Sequence, residues 1–301
     1  MLPIAGCSPG WTGSASLTSC YIAVSAYKDM NGAKKYCFDE YNATVAAPKT
    51  ETENSFISKL KSGDIRIGIY GNTYQNVWEY YDGNDVNLTV FSSSPFCRDY
   101  STIEDCITMQ HDDKWKVESC STGRGFVCQK RLNFIDHCSP LGFFQHPYQD
   151  ICYKKLGSEY YDDALNACEA EGLDILMPKT EEEHAFMKWY IIEYINDNVW
   201  VGLTDIDQER TFVWNNGIDT GFRAFGYGDP NNAGGDQHCV RYDSISSYNW
   251  NDWTCNLRST VVCQTLACQT LGKNYQYNDW TCNLRSTVVC QTLGMKYQDN
   301  D

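Results

Sequence analysis

The apolar positions of this chain spell out the same order of elements twice: helix, second helix, strand, long loop, last strands. A helical stretch is predicted over Tyr27 to Asn42 and again over Ser158 to Gly172. A second helix follows each. Thr50 with Glu53, and Thr180 with Glu183, place a hydroxyl acceptor and then an acid three residues on, which is a helix-start signal. Apolar residues then recur at helical spacing, as Phe56, Ile57 and Leu60 in the first half and Phe186, Trp189, Tyr190 and Tyr194 in the second. A short apolar strand comes next, Ile65-Arg66-Ile67-Gly68-Ile69 or Val199-Trp200-Val201-Gly202-Leu203. Long stretches rich in Gly, Asn and Ser separate these from the final strands.

The cysteines carry the same duplication. Cys7, Cys20, Cys37, Cys106, Cys120 and Cys128 are spaced 13, 17, 69, 14 and 8 apart. Cys138, Cys152, Cys168, Cys239, Cys255 and Cys263 are spaced 14, 16, 71, 16 and 8. Matching intervals over two runs of this length indicate one domain type used twice. The 301 residues divide into 1–131, 132–266 and a tail, 267–301. The tail is a copy: Asn251 to Leu266 recurs unchanged as Asn278 to Leu293. It carries only the last two strands of a domain and cannot bury a core of its own. A recent duplication or a gene-model error accounts for it better than a structural repeat. The copied cysteines compete in principle with the originals. The first copy is favoured because it keeps Trp250 where the second has Tyr277. Cys97, Cys268, Cys282 and Cys290 are left without obvious partners.

Sixteen cysteines with no Cys-x2-Cys pair point to disulfides in an oxidising, extracellular setting rather than to zinc ribbons. No signal peptide is visible at the start, so the true N-terminus is expected to lie upstream. No apolar run is long enough to span a membrane. Asn42-Ala43-Thr44 and Asn87-Leu88-Thr89 are glycosylation acceptors if the chain is exported. The net charge of −15 disfavours nucleic acid and anionic membranes as partners. Residues 131–301 carry −12 of it, with 12 basic and 24 acidic side chains. An enzyme is not expected. The chain has no Gly-x-Ser-x-Gly elbow, no Gly-rich phosphate loop and no His-Glu-x-x-His pair, and its five histidines have no evident nucleophile partner.

The acidic half holds the candidate chemistry. Asp229-Pro230-Asn231 and Trp250-Asn251-Asp252 each offer a carboxylate and a carboxamide within three residues. Oxygen donors of this kind suit calcium, which takes six to eight oxygens. Taken alone, Asp, Asn, Gly and Pro are also ordinary turn formers. In combination with the cysteine frame, however, the two stretches resemble the primary calcium and sugar site of C-type lectin domains. Val199-Trp200-Val201-Gly202-Leu203 is similar to that family's core strand.

The resemblance implies an α+β fold: two tandem C-type lectin-like domains, each with two helices, small antiparallel sheets, a long loop region and three disulfides. It implies the pairs Cys7–Cys20, Cys37–Cys128 and Cys106–Cys120, then Cys138–Cys152, Cys168–Cys263 and Cys239–Cys255. It also implies Asp229, Asn231, Gln237, Asn251 and Asp252 as ligands of Ca2+ and of a sugar. Gln237 stands where the family has an acid, and Asp236 beside it would substitute if the loop slipped by one residue. With two formal charges, calcium binding is expected near roughly 10⁻⁴–10⁻³ M. Acid before Pro230 and amide after it imply glycans of mannose type as partners. The alternative is a calcium-independent protein-binding or adhesion module. A second cation is conceivable at Asp205 and Glu209, weakened by His238, which is expected to be a surface histidine rather than a ligand. The first half reads Trp115-Lys116-Val117 at the corresponding place, and Ser92-Ser93-Ser94-Pro95 lacks the acid–amide pair. That half is expected to fold alike and bind no calcium.

Overall fold

The computed structural model describes residues 7–14, 17–60, 63–72, 77–80, 86, 105–132, 136, 138–139, 142–147 and 149–266, with short strands at 276–277 and 280–281. The first unit runs β1 (Ser19–Lys28), α1 (Met30–Tyr41), β2 (Thr44–Val45), α2 (Glu51–Ser58), β3 (Ile65–Asn72), β4 (Val77–Tyr80), β5 (Asp105–Met109), β6 (Trp115–Ser119) and β7 (Arg124–Arg131). The second opens with β8 (Phe144–Gln145) and repeats the list as β9 (Ile151–Glu159), α3 (Tyr161–Ala170), β10 (Asp174–Ile175), α4 (Glu181–Tyr190), β11 (Val199–Thr204), β12 (Val213–Trp214), β13 (Cys239–Asp243), β14 (Asn249–Trp253) and β15 (Ser259–Leu266).

The two sheets have equivalent strand orders, β1-β7-β3-β5-β6 and β14-β13-β11-β15-β9-β8. In each, one parallel pairing joins the two halves of the sheet, β3 on β7 and β11 on β15. The remaining pairings of both are antiparallel. The fold is therefore α+β, built twice.

Both predicted capping boxes form. Thr50 Oγ1 accepts from the Glu53 amide at 3.2 Å, and Thr180 Oγ1 from the Glu183 amide at 3.2 Å. The returning acids reach one residue further than the standard box. Glu53 Oε2 accepts from the Lys49 amide at 2.8 Å, and Glu183 Oε2 from the Lys179 amide at 2.6 Å. The first helix of each unit starts later than the sequence reading. Tyr27 belongs to β1 and Ser158 to β9. Asp29 supplies the start signal of α1, its Oδ1 accepting from the Gly32 amide at 2.7 Å. α3 has no side-chain cap at all.

Six disulfides form, in the pairs that the resemblance implied. Cys255 and Cys263 of the first tail copy take Cys239 and Cys168. Cys97, Cys268, Cys282 and Cys290, like Asn87 and Ser92 to Pro95, lie outside the described residues. Of the tail, the described residues form one two-stranded pairing, Gln276–Tyr277 with Trp280–Thr281.

Among the described residues the second unit's core is one continuous cluster, centred on Trp200, Trp214, Tyr242 and Trp250, each with 1% exposure or less. One residue of the first unit joins it. Phe38 on α1 lies 5.9, 5.2, 5.8 and 5.6 Å from the rings of Phe186, Trp189, Tyr190 and Tyr194. Next to it, Tyr194 Oη donates to Asp39 Oδ1 at 2.7 Å. Arg131 also pairs with Asp150. The helical aromatic spacing read from the second half thus serves partly to seat the first unit.

Candidate functional site

The site is built on β14 and the loop that precedes β13. Strand alternation sends Trp250 and Asp252 inward and leaves Asn249, Asn251 and Trp253 half-buried. Trp250 holds the loop in place. Its ring meets those of His184, Trp214, Phe222 and Phe225 at 5.6, 5.7, 5.7 and 6.0 Å. Its amide donates to Ala224 O at 3.0 Å, and its carbonyl accepts from Gly226 at 2.8 Å. The loop carrying Asp229 therefore leaves the sheet beside β14, next to Asp252.

Four of the five predicted side chains meet there. Asp252, 1% exposed, accepts from the Asn231 amide at 2.9 Å on one oxygen and from the Asn232 amide at 2.6 Å on the other. Asn231 Nδ2 donates to Asp229 Oδ1. Asn231 Oδ1 and Gln237 Oε1 both accept from the Ala233 amide, at 2.8 and 2.6 Å, so these two oxygens are neighbours. The Asp229–Pro230 peptide is cis. Burial raises the Asp229 carboxyl above its ordinary value, and the charges of Asp252 and Asp243 push it the same way, against the Asn231 hydrogen bond. Carboxylates crowded in this manner favour a cation between them.

Asn251 is placed differently. Its Nδ2 donates to Asp243 Oδ2 at 3.0 Å, and its buried Oδ1 has no hydrogen-bond partner. An orphaned buried acceptor is costly unless something occupies it. The donor set, two carboxylates and three amide oxygens, fits a hard cation such as calcium. Gln237 occupies the site directly. Asp236 turns away and accepts from Thr254 Oγ1 at 3.2 Å, so the loop does not slip.

The sequence reading missed Asn232 and Asp243. Asn232 is a hub: besides its bond to Asp252, its Oδ1 accepts from the Gln237 amide at 3.0 Å and its Nδ2 donates to Glu209 at 2.6 Å. Asp243 is fully buried and pairs with Arg241 at 3.2 Å, whose guanidinium lies 3.8 Å over the Trp253 ring. The available signal was Arg241 and Asp243 two apart on one strand, hence on one face. His238 is about one-third exposed, and its Nδ1 faces Asp205 Oδ1 at 3.1 Å and Glu209 Oε2 at 3.7 Å. In the first unit, Lys116 and Val117 stand opposite Thr108 and Ile107, and Lys116 Nζ donates to Asp64 at 2.6 Å.

The chain is similar to several known proteins. A mannose-binding isoform of C-type lectin from Oxyuranus scutellatus is 29% identical over 133 residues, 42% of this chain and 83% of that protein. Collectin-10 of Xenopus tropicalis is 32% identical over 108 residues, 35% of this chain and 38% of its own length. Among solved structures, the carbohydrate-recognition domain of mouse scavenger receptor C-type lectin matches with 25% identity and a TM-score of 0.37, covering 40% of this chain and 92% of that one. The Lectin C-type domain model matches twice, over residues 27–130 and 157–265, which is more than half of the chain. With both units matched, each holding its three disulfides, the chain belongs to the C-type lectin domain family as a tandem member.

Proposed function

We propose that the second domain binds glycans through a calcium ion held by Asp229, Asn231, Gln237, Asn251 and Asp252. One observation carries this reading. Four of these side chains share a single hydrogen-bonded patch, and the fifth presents an orphaned oxygen. Bound calcium would supply open coordination positions for two neighbouring hydroxyls of a sugar ring. Asp229 and Asp252 would accept hydrogen bonds from those hydroxyls. Asn231 Nδ2, which now donates to Asp229, would turn to donate to one of them. The backbone amides of residues 231 and 232 fix the orientation of the Asp252 carboxylate. The Asp-Pro-Asn order and the relative described as mannose-binding support hydroxyl geometry of mannose type. A single sugar would bind at about millimolar strength, or roughly −4 kcal/mol, so useful avidity needs several copies.

In this reading residues 132–266 form the binding domain and residues 1–131 a domain without calcium ligands. The 267–301 segment is a duplicated tail. Six disulfides suit an extracellular setting. A second reading, calcium-independent contact with proteins, is favoured for the first domain. There Lys116 and Val117 replace the ligand pair, and Phe38 makes that domain a brace for the other.

A glycan array probed with and without chelator tests the first reading. Binding is expected to vanish in chelator, and to vanish in Asp229→Asn with an unchanged melting temperature. Glycan binding that survives both would refute it.

A further inference from the structure

We propose that Asp205, Glu209 and His238 form a second metal centre that selects zinc-like cations over calcium. The three offer one ligand atom each, all within 4.8 Å of one another. Asp205 follows β11 and is buried, 2% exposed. Its Oδ2 accepts from the Arg210 amide at 2.7 Å, which fixes the carboxylate and turns Oδ1 to His238 Nδ1 at 3.1 Å. Glu209 Oε2 lies 3.7 Å from the same nitrogen. Ligand atoms at about 2.0–2.1 Å around a tetrahedral zinc stand roughly 3.4 Å apart, close to both separations. The half-exposed Glu209 can make the remaining adjustment.

The donor chemistry decides which ion fits. Calcium takes six to eight oxygens, and this cluster offers two carboxylates and an imidazole. Imidazole nitrogen suits zinc, copper and nickel. Water would complete a four-coordinate zinc. The cluster therefore departs from the calcium chemistry that the family implies for the neighbouring site. An outer-shell partner is already in place. Asn232 Nδ2 donates to Glu209 at 2.6 Å while the Asn232 amide donates to Asp252. The two centres share that residue without sharing a proposed ligand.

The test is calorimetric titration of the full chain, stripped of metal and with free thiols alkylated, using ZnCl2 and CaCl2 in turn. One zinc equivalent is expected to weaken on the order of 10–100-fold in His238→Ala and in Glu209→Gln, the range seen when even outer-shell partners are lost. Asp229→Asn should leave that equivalent intact. His238→Asp should lose it and gain a calcium equivalent. Zinc binding that is absent from the natural chain, unchanged in both His238→Ala and Glu209→Gln, or displaced by equimolar calcium would overturn the proposal. A natural chain that takes up the zinc equivalent but shows no chelator-sensitive glycan binding would refute the glycan reading alone.

Discussion

The last hairpins of the two domains have one skeleton and two chemistries. β6 pairs with β5 so that Trp115 faces Met109, and β14 pairs with β13 so that Trp250 faces Tyr242. A disulfide bridges the base of each, Cys106–Cys120 and Cys239–Cys255. Both tryptophans are fully buried. The two residues that follow differ: Lys116-Val117 against Asn251-Asp252. Lys116 spends its charge on Asp64, and the neighbouring Glu118 is held below the usual carboxylate range by the Arg124 guanidinium. In the second domain burial and the charges of Asp252 and Asp243 push Asp229 up instead. The strand pairings and the core tryptophan belong to the fold. The side-chain chemistry after the tryptophan is a property of positions the fold leaves free.

The core strands make the same point in reverse. Arg66 of β3 occupies the place held by Trp200 of β11, and it is just as buried. It is accommodated because Nη2 donates to the carbonyls of Ser119 and Thr122, each at 3.0 Å. Trp200 donates to Glu159 O at 2.9 Å and fills the rest of its volume with carbon. One scaffold accepts either a carbon-rich ring or a guanidinium whose Nη2 is held by two carbonyls, with Glu118 Oε2 3.7 Å away.

The comparison can be broken most directly at the tryptophans. Trp115→Ala and Trp250→Ala should each cost about 3–5 kcal/mol in their own domain, as large core truncations do. Only Trp250→Ala should also abolish chelator-sensitive glycan binding. Scanning calorimetry with a glycan-binding assay checks both; equal loss of binding in the two variants contradicts the division of labour.

A smaller effect separates the domains by pH. Burial lowers His146 and His184 of the second domain to about 3, and nearby cations (Arg131 and Lys188) act the same way. The unfolded chain binds these protons near pH 6.5 and the folded one near 3. Their contribution is therefore complete above 6.5 and is lost as pH falls. The loss should approach roughly 1.4 kcal/mol per pH unit for each histidine. Among the described residues the first domain holds only His111, which is exposed. Acidification from pH 6 to 5 should lower the melting temperature of the second domain more than that of the first. An equal drop would contradict this.

Gly202→Ala tests packing at the core strand. A Cβ there would stand 2.5 Å from Ile175 Cγ2 and 2.8 Å from Met177 Cγ. The cost should be about 1–3 kcal/mol, as for other overpacked cores, read from denaturant midpoints. The smallest effect concerns the brace. Phe38→Ala removes one ring from the aromatic group on α4 and should cost about 1 kcal/mol. Its signature is separation of the two melting transitions; transitions that stay merged would mean that Phe38 does not couple the domains.

Much of this was legible beforehand because it is local. Cysteine spacing, capping boxes and apolar strands each follow from neighbours within a few residues, and they located both domains. Helix α1 was placed too early because Tyr27 and Lys28 extend β1 until Asp29 caps the helix. The five proposed ligands were legible only through family likeness. The carboxylates that His238 faces were not legible because they lie 29 and 33 residues away. Asn232 was missed for a similar reason: its role depends on the path of the loop.

By itself, the sequence determined that this chain makes one disulfide-framed α+β unit twice, and that the acid–amide pairs Asp229-Pro230-Asn231 and Asn251-Asp252 have no counterpart at the matching places of the first copy. Periodicity and covalent spacing are properties of the chain in any conformation. The tertiary structure decided which donors converge, that Asn251 leans on Asp243, that a histidine joins two carboxylates, and that Phe38 crosses to the other core. The first and third depend on how the 34 residues between β11 and β13 fold back, the others on which strands and helices meet, and no local pattern specifies either.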